Sequence, residues 1–447
     1  MILPPLLLGR VQFTVCLGFL AFFVALGLAL SWLLLFFKLK ARFSGNPGWT
    51  AAYRFWVRIF ALAFVLALAA AVPVLVQLGT IWSGLMDRIG NVAGPLLGFA
   101  VLSVFALKSC FLGVMLFGQR RVPEAVHTLS VFMVALGQLV AVFWVLALVS
   151  WMQTPDGAVA LDGRYQVFDW MAVLINPSLK LTVGINLLLA ALTVCFMIMG
   201  ITAWQALRRP LDDGERLGFR AALVIACLAI VALAPAGLKA AHMIAHYQPA
   251  KAAAAAGFWH DSDSPDLVLF AWPDAETSSN LASVSIHGAA ENWLGRNVNG
   301  KLLALENFSG MQPPVALTFW SLRVMVIMSA LMFLAAWATL LRLRKRGLDP
   351  SVLSRGWLRV LSALTFSGAI VLLSGWVLTF AGLQPFIVNG AVTQTEVLGA
   401  ATGRGLMYGT VGYIALYGLL LWAFVSMLFH AARYGVVPVR KFARAAA

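Results

Sequence analysis

Two ionisable side chains fall inside long apolar runs of this sequence, and chemistry is sought there first: Lys108 and Arg323. A charge within a bilayer is costly, so one that is kept there usually has a task. Lys108 lies deep in the run 91–117. It suits an ion pair with a partner subunit or a cofactor carboxylate. The plainer reading is a lysine whose flexible stem snorkels along a helix interface. Arg323 lies one to two turns into the run 317–341. Its planar guanidinium suits two-point recognition of a carboxylate, and the plainer reading is an anchor for a lipid phosphate. Met325, close by, offers a thioether, which is more often a packing group than a metal ligand.

Other metal-ligating types are poorly placed. The six histidines are His127, His242, His246, His260, His287 and His430, and none lies midway along an apolar run. His127 and His430 sit at helix ends, where an imidazole serves as a cap or contact. His242 and His246 are four apart and would share a helix face, but no third ligand is near them in sequence. Cys16, Cys110, Cys195 and Cys227 all fall in apolar runs, form no CxxC, and read as small packing residues.

The elements that must carry these groups are membrane helices. Arg10 and Lys38 bracket 27 uncharged residues. At about 1.5 Å per residue, that run exceeds the ~30 Å hydrocarbon core. The length of the run, with no basic segment before it and no small-residue cleavage site after it, argues against a cleaved signal peptide. Similar runs recur at 59–80, 91–117, 125–150, 181–207, 218–238, 317–341, 359–381 and 405–430. An all-α polytopic bundle of about nine transmembrane helices follows. Pro73 interrupts the second run, so a neighbouring helix must satisfy the freed carbonyl.

Composition agrees: 62% of the 447 residues are hydrophobic and only 11% charged, against roughly 25% charged in soluble domains. The net charge of +15 is unevenly spread. With the N-terminus outside, the inner loops and tail hold 21 of the 32 basic residues, from Lys38 through Arg440, Lys441 and Arg444, with five acids. The outer loops hold ten basic and twelve acidic residues. The positive-inside rule then puts the C-terminus in the cytoplasm. The basic excess faces anionic lipid, and no nucleic-acid partner is expected. Helices 1–6 fill residues 1–238, an outer-side loop spans 239–316, and helices 7–9 with a cytoplasmic tail fill 317–447. The loop carries Lys251 ahead of an alanine run, and loops this long are usually functional or mobile. No internal repeat, zinc spacing, P-loop or dinucleotide fingerprint is present.

Short motifs then give a resemblance over nearly the full chain. They are Gly9-Arg-Val-Gln-Phe13, Phe117-Gly118, Val134-Ala-Leu-Gly137, Trp151-Met-Gln-Thr-Pro155, Asn176-Pro177, Gly200-Ile-Thr-Ala-Trp204, Arg323-Val-Met325, Gly375-Trp376 and Gly382-Leu-Gln-Pro385. Together they resemble subunit I of the cytochrome bd-type quinol oxidases. The resemblance implies a bacterial-type cytoplasmic membrane protein, three haems, and oxidation of quinol by oxygen. It makes the loop after the sixth helix a quinol loop.

The same resemblance places non-ligating residues where the family's chemistry is done. Its first-helix histidine ligand falls on Leu20, its fifth-helix histidine on Ile185 and its eighth-helix glutamate on Leu373. Its two third-helix acids fall on Ala100 and Lys108. Of the quinol-loop pair, the lysine matches Lys251 and the glutamate falls on Ala256. Met325 matches the methionine ligand, and Arg323 its neighbour, a partner for a haem propionate. A thioether alone is a poor haem anchor.

The favoured expectation is therefore a non-catalytic, haem-poor paralogue packed against a haem-bearing subunit I. Haems b and d would sit on that partner and none on this chain. Small accessory subunits are further candidate partners, and a quinone or a lipid is the candidate ligand. Met325 and Arg323 would be remnants of a haem site, Lys251 a remnant of the quinol site, and Lys108 a contact for the partner. The second expectation is a catalytic quinol oxidase subunit with altered haem ligation, in which Lys251 contacts quinol. The third is a transporter or lipid-binding protein on the same fold.

Overall fold

The computed structural model describes residues 4–262, 266–288, 303–400 and 403–434. Arg440, Lys441 and Arg444, counted above toward the basic side, lie outside them, as do outer-loop residues 289–302. Among the described residues, nine helices are long and apolar enough to cross a membrane. They are α1 (Pro5–Ser44), α2 (Pro47–Thr80), α3 (Ser83–Phe117), α4 (Glu124–Gln153), α5 (Leu179–Ala206), α6 (Asp213–Tyr247), α8 (Val315–Leu343), α9 (Arg355–Ala381) and α10 (Gly403–Tyr434). A short helix, α7 (Pro249–Ala256), follows α6.

Helix ends explain where the chain turns. Gly45 takes a left-handed φ of 64° and its N–H caps α1 at Ala41. Asn46 then accepts from Gly48 N at 2.8 Å, and Pro47 opens α2. Asp212 and Glu215 form a reciprocal capping box that starts α6. α1 is longer than its apolar run and extends past it at both ends. α6 continues to Tyr247, nine residues beyond the expected boundary at 238, and carries His242 and His246 on its exposed side.

α1 and α5 form the interior. The apolar window of α1 is 72% buried, whereas that of α10 is 17% buried, so α10 is peripheral. α5 is buried on all sides from Leu192 to Ala203. It crosses α9 where side chains are smallest. A Cβ on Gly368 would lie 2.5 Å from the Cα of Thr193, and one on Gly200 would meet Thr365. Bare backbone at such crossings lets membrane helices approach closely. The same device joins α3 to α4, where a Cβ on Gly137 would come within 2.8 Å of the Leu107 Cβ. There α3 widens into a π turn at Val104–Ser109.

Strand structure, absent from the sequence expectation, is confined to the connections. Three antiparallel hairpins pair β1 (Ala158–Leu161) with β2 (Arg164–Val167), β3 (Leu267–Asp274) with β4 (Ser279–Ile286), and β5 (Phe386–Val388) with β6 (Val392–Thr393). All lie at the end opposite the basic loops. The described residues of the segment 239–316 include the tail of α6, then α7 and the β3–β4 hairpin.

Candidate functional site: the α7 shelf and the aliphatic cluster beneath it

α7 is a shelf of alanines packed under the third and longest connection. Ala253 and Ala254 are fully enclosed with Trp259, Leu305 and Val315. Its C-terminal carbonyls need donors, and Arg323 of α8 supplies them. The guanidinium donates to Ala255 O, to Ala256 O at 3.4 Å and to Val268 O of β3, and stacks over the Phe319 ring at 3.5 Å. Arg323 is 8% exposed. The fork geometry of the guanidinium is spent on carbonyls within the chain.

Lys251 sits on the same helix and is 3% exposed. Its ammonium donates to Gln153 Oε1 at 3.2 Å and to Thr379 O at 3.3 Å. Gly382 gives it room, since a Cβ there would meet the lysine stem at 2.7 Å. A small cavity of about 120 Å³ adjoins it, bordered by Gln248, Phe308, Met311 and Gln384. Gln153 belongs to the motif at the end of α4, and a buried polar network fixes that end. Thr154 Oγ1 and Ser178 Oγ are 2.7 Å apart, Asn176 donates to Ser150 Oγ at 2.9 Å, and Ser178 donates to Ser150 O at 2.9 Å. Asn176-Pro177 thus ties the start of α5 to the end of α4. Sequence spacing did not reveal Gln153 as the partner of Lys251, although the motif containing it was visible.

Burial pushes the Lys251 ammonium down to about 7. An unfolded lysine titrates near 10.4. Between these values the unfolded chain holds a proton that the folded chain lacks, so stability rises with pH. Below about 7 the folded state bears the full cost of the buried charge. The thermal midpoint of the wild type, relative to Lys251→Met, is expected to climb from pH 7 to pH 9. Parallel pH profiles for the two proteins would contradict the burial of this charge.

The four positions that the resemblance equates with haem ligands all border the main apolar core of the bundle. Leu20 of α1, Ile185 of α5, Met325 of α8 and Leu373 of α9 all pack, partly buried, against it. A Cβ on Gly18 would meet Leu373 at 3.6 Å, and one on Gly375 would meet Met325 Sδ at 3.6 Å. Position by position, the side chains offered are three aliphatic groups and one thioether. The core also holds Cys16, Cys195 and Cys227; Cys16 Sγ accepts from Gln77 Nε2 at 3.0 Å. No histidine, aspartate or glutamate occurs in α1, α5, α8 or α9. These residues do not fit an iron porphyrin that requires imidazole or carboxylate ligation.

The histidines are engaged elsewhere. His127 Nε2 is 3.2 Å from Met115 O, His260 pairs with Glu306 at 2.9 Å, and His287 pairs with Asp266 at 2.7 Å. His430 stacks on Tyr434. Among the described residues, no three His, Cys, Asp or Glu side chains group as metal donors, His242 and His246 included. Lys108 is apart from the shelf. The π turn directs it into the fold, 5% exposed, with its ammonium 4.5 Å from the centre of the Phe64 ring. No carboxylate among the described residues forms an ion pair with it.

The family model described as "Cytochrome bd terminal oxidase subunit I" matches residues 8–436. The chain is 26% identical over 439 residues to "Cytochrome bd ubiquinol oxidase subunit 1" of Bacillus subtilis (strain 168), covering 96% of this chain and 93% of that one. It is 25% identical over 498 residues to "Cytochrome bd-II ubiquinol oxidase subunit 1" of Escherichia coli (strain K12), covering 96% of both. The fold matches a chain of the solved bd oxidase from Geobacillus thermodenitrificans with a TM-score of 0.86 at 21% identity, covering 96% of this chain and 98% of that one.

Proposed function

Because the chain belongs to the cytochrome bd terminal oxidase subunit I family, we propose that it is a haem-poor, non-catalytic subunit of a cytochrome bd-type quinol:oxygen oxidoreductase. It is an integral protein of the cytoplasmic membrane and a component of a quinol oxidase. In the proposed complex it packs against a haem-bearing subunit I, which carries haems b and d. Its own task is to cover the haem-facing helices of that partner and to exclude lipid and water.

The observation that carries this reading is the aliphatic character of Leu20, Ile185 and Leu373, each packed against the apolar core of the bundle. Iron needs an axial donor, and Met325 alone is a weak one. Proton delivery meets a similar gap, since Ala100 and Lys108 stand where the resemblance implies acids. The basic ends of α1, α2, α4 and α6 are read as cytoplasmic, and the α7 shelf as lying on the outer side. Exposed apolar residues along α3 and α10, such as Phe105, Leu102, Val411 and Trp422, offer surface to a partner or to lipid.

The test is an affinity-tagged chain recovered from its native membranes in mild detergent. A second, haem-bearing subunit I is expected in equal amount, and Met325→Ala should leave the haem content and turnover of the complex unchanged. Recovery of the chain without a haem-bearing partner would overturn the proposal.

A catalytic role with altered ligation draws on one observation, the cavity beside buried Lys251. Under that reading Lys251→Ala abolishes quinol turnover by the complex. Under the favoured reading turnover persists.

A further inference from the structure

The basic end of the bundle holds a second cavity, larger than the one beside Lys251 and unrelated to the haem positions. Its volume is about 350 Å³, and it lies between the ends of α1 and α2 and the turn before α4. Small-ligand pockets start at about this size, roughly 300 Å³. Lys38, Arg42, Arg54 and Glu124 border it, three cations against one carboxylate. Lys38 is 4% exposed and pairs with Glu124 at 2.7 Å. Arg54 Nε donates to Gln119 Oε1 at 3.3 Å, and neither Arg42 nor Arg54 forms an ion pair among the described residues. The carboxylate is thus committed to the buried lysine, and two guanidinium groups remain in excess at the mouth.

The surroundings set the depth. Lys38 ends the first apolar run, and Phe36, Phe37 and Trp49 cluster beside it. Phe43 and Phe117, 81% and 71% exposed, stand on the two sides of the cavity in sequence, next to Arg42 and near Gln119. The indole of Trp49 beside these cations at the end of a span marks the headgroup level of a bilayer. Planar guanidinium groups bind phosphate oxygens in pairs.

We propose that this cavity binds a phosphate-bearing anion, with Arg42 and Arg54 gripping the phosphate above the Lys38–Glu124 pair. The phosphate can belong to an anionic phospholipid headgroup or to a soluble phosphate compound, and the experiment separates them.

The full chain, purified and stripped of lipid, is titrated with phosphatidylglycerol and with phosphatidylcholine by native mass spectrometry. In a separate arm, inorganic phosphate is measured by equilibrium dialysis. One anion is expected to bind, and Arg42→Gln with Arg54→Gln together should weaken it at least about tenfold. Glu124→Gln removes the competing carboxylate and should tighten it about fivefold. Phosphatidylglycerol binding with this pattern, and weaker binding of phosphatidylcholine, identifies a lipid site. Phosphate binding with this pattern, without phosphatidylglycerol, identifies a soluble ligand. Absence of both, or affinities that none of these substitutions moves, overturns the proposal.

Discussion

Replacing Arg323 with glutamine is expected to unfasten the α7 shelf. The guanidinium satisfies carbonyls of Ala255, Ala256 and Val268 from a position that water scarcely reaches. Each buried carbonyl left without a donor costs ~1–3 kcal/mol. Glutamine reaches one of them at best, so a loss of about 3 kcal/mol is expected. Arg323→Lys should recover little, because one ammonium cannot reproduce the fork or its stacking over Phe319. Limited proteolysis checks this directly. Cleavage should appear between residues 249 and 286 in the variant while the spans stay intact. A variant as resistant as the wild type would show that the arginine does not organise this segment.

The second large effect belongs to the crossing of α5 and α9. In Gly368→Val the new Cβ would lie 2.5 Å from Thr193 Cα and 2.6 Å from Thr193 N. Both are backbone atoms of a buried helix, so the helices must part. About 3 kcal/mol is expected, at the upper end of overpacking costs. The variant should accumulate poorly in membranes and lose its thermal transition. Gly375→Ala on the same helix is the matched control. Its Cβ would meet Met325 Sδ at 3.6 Å and Leu189 Cδ1 at 3.9 Å, ordinary contacts. Equal damage from both substitutions would argue against the crossing as the cause.

The spans were legible because hydropathy over about 20 residues is a local property. So was the concentration of charge at one end, since Lys38, Arg54, Arg120 and Arg209 flank the apolar runs rather than interrupt them. What escaped was set by tertiary contact. β3 and β4 fell within an outer-side loop because a two-stranded hairpin needs packing from elsewhere, such as Phe270 against Trp320, to persist. The π turn that directs Lys108 toward Phe64 leaves no mark in composition. Arg323 read as an interfacial anchor or a haem-site remnant because its acceptors, on Ala255 and Val268, are 68 and 55 residues away. Main-chain acceptors carry no side-chain signature. The equation of Leu20, Ile185, Met325 and Leu373 with ligand positions came from family motifs alone, and their place against the apolar core is a product of helix packing.

The central claim is that this polypeptide does not itself ligate haem. It is tested by expressing the full chain without a partner in haem-supplemented cells, purifying it in detergent, and measuring haem per chain from the pyridine haemochrome and the Soret band. The account predicts no Soret band above that of Met325→Ala, and no haem that survives gel filtration. One haem per chain, retained by the wild type and lost on substitution of one of its own side chains, would contradict it.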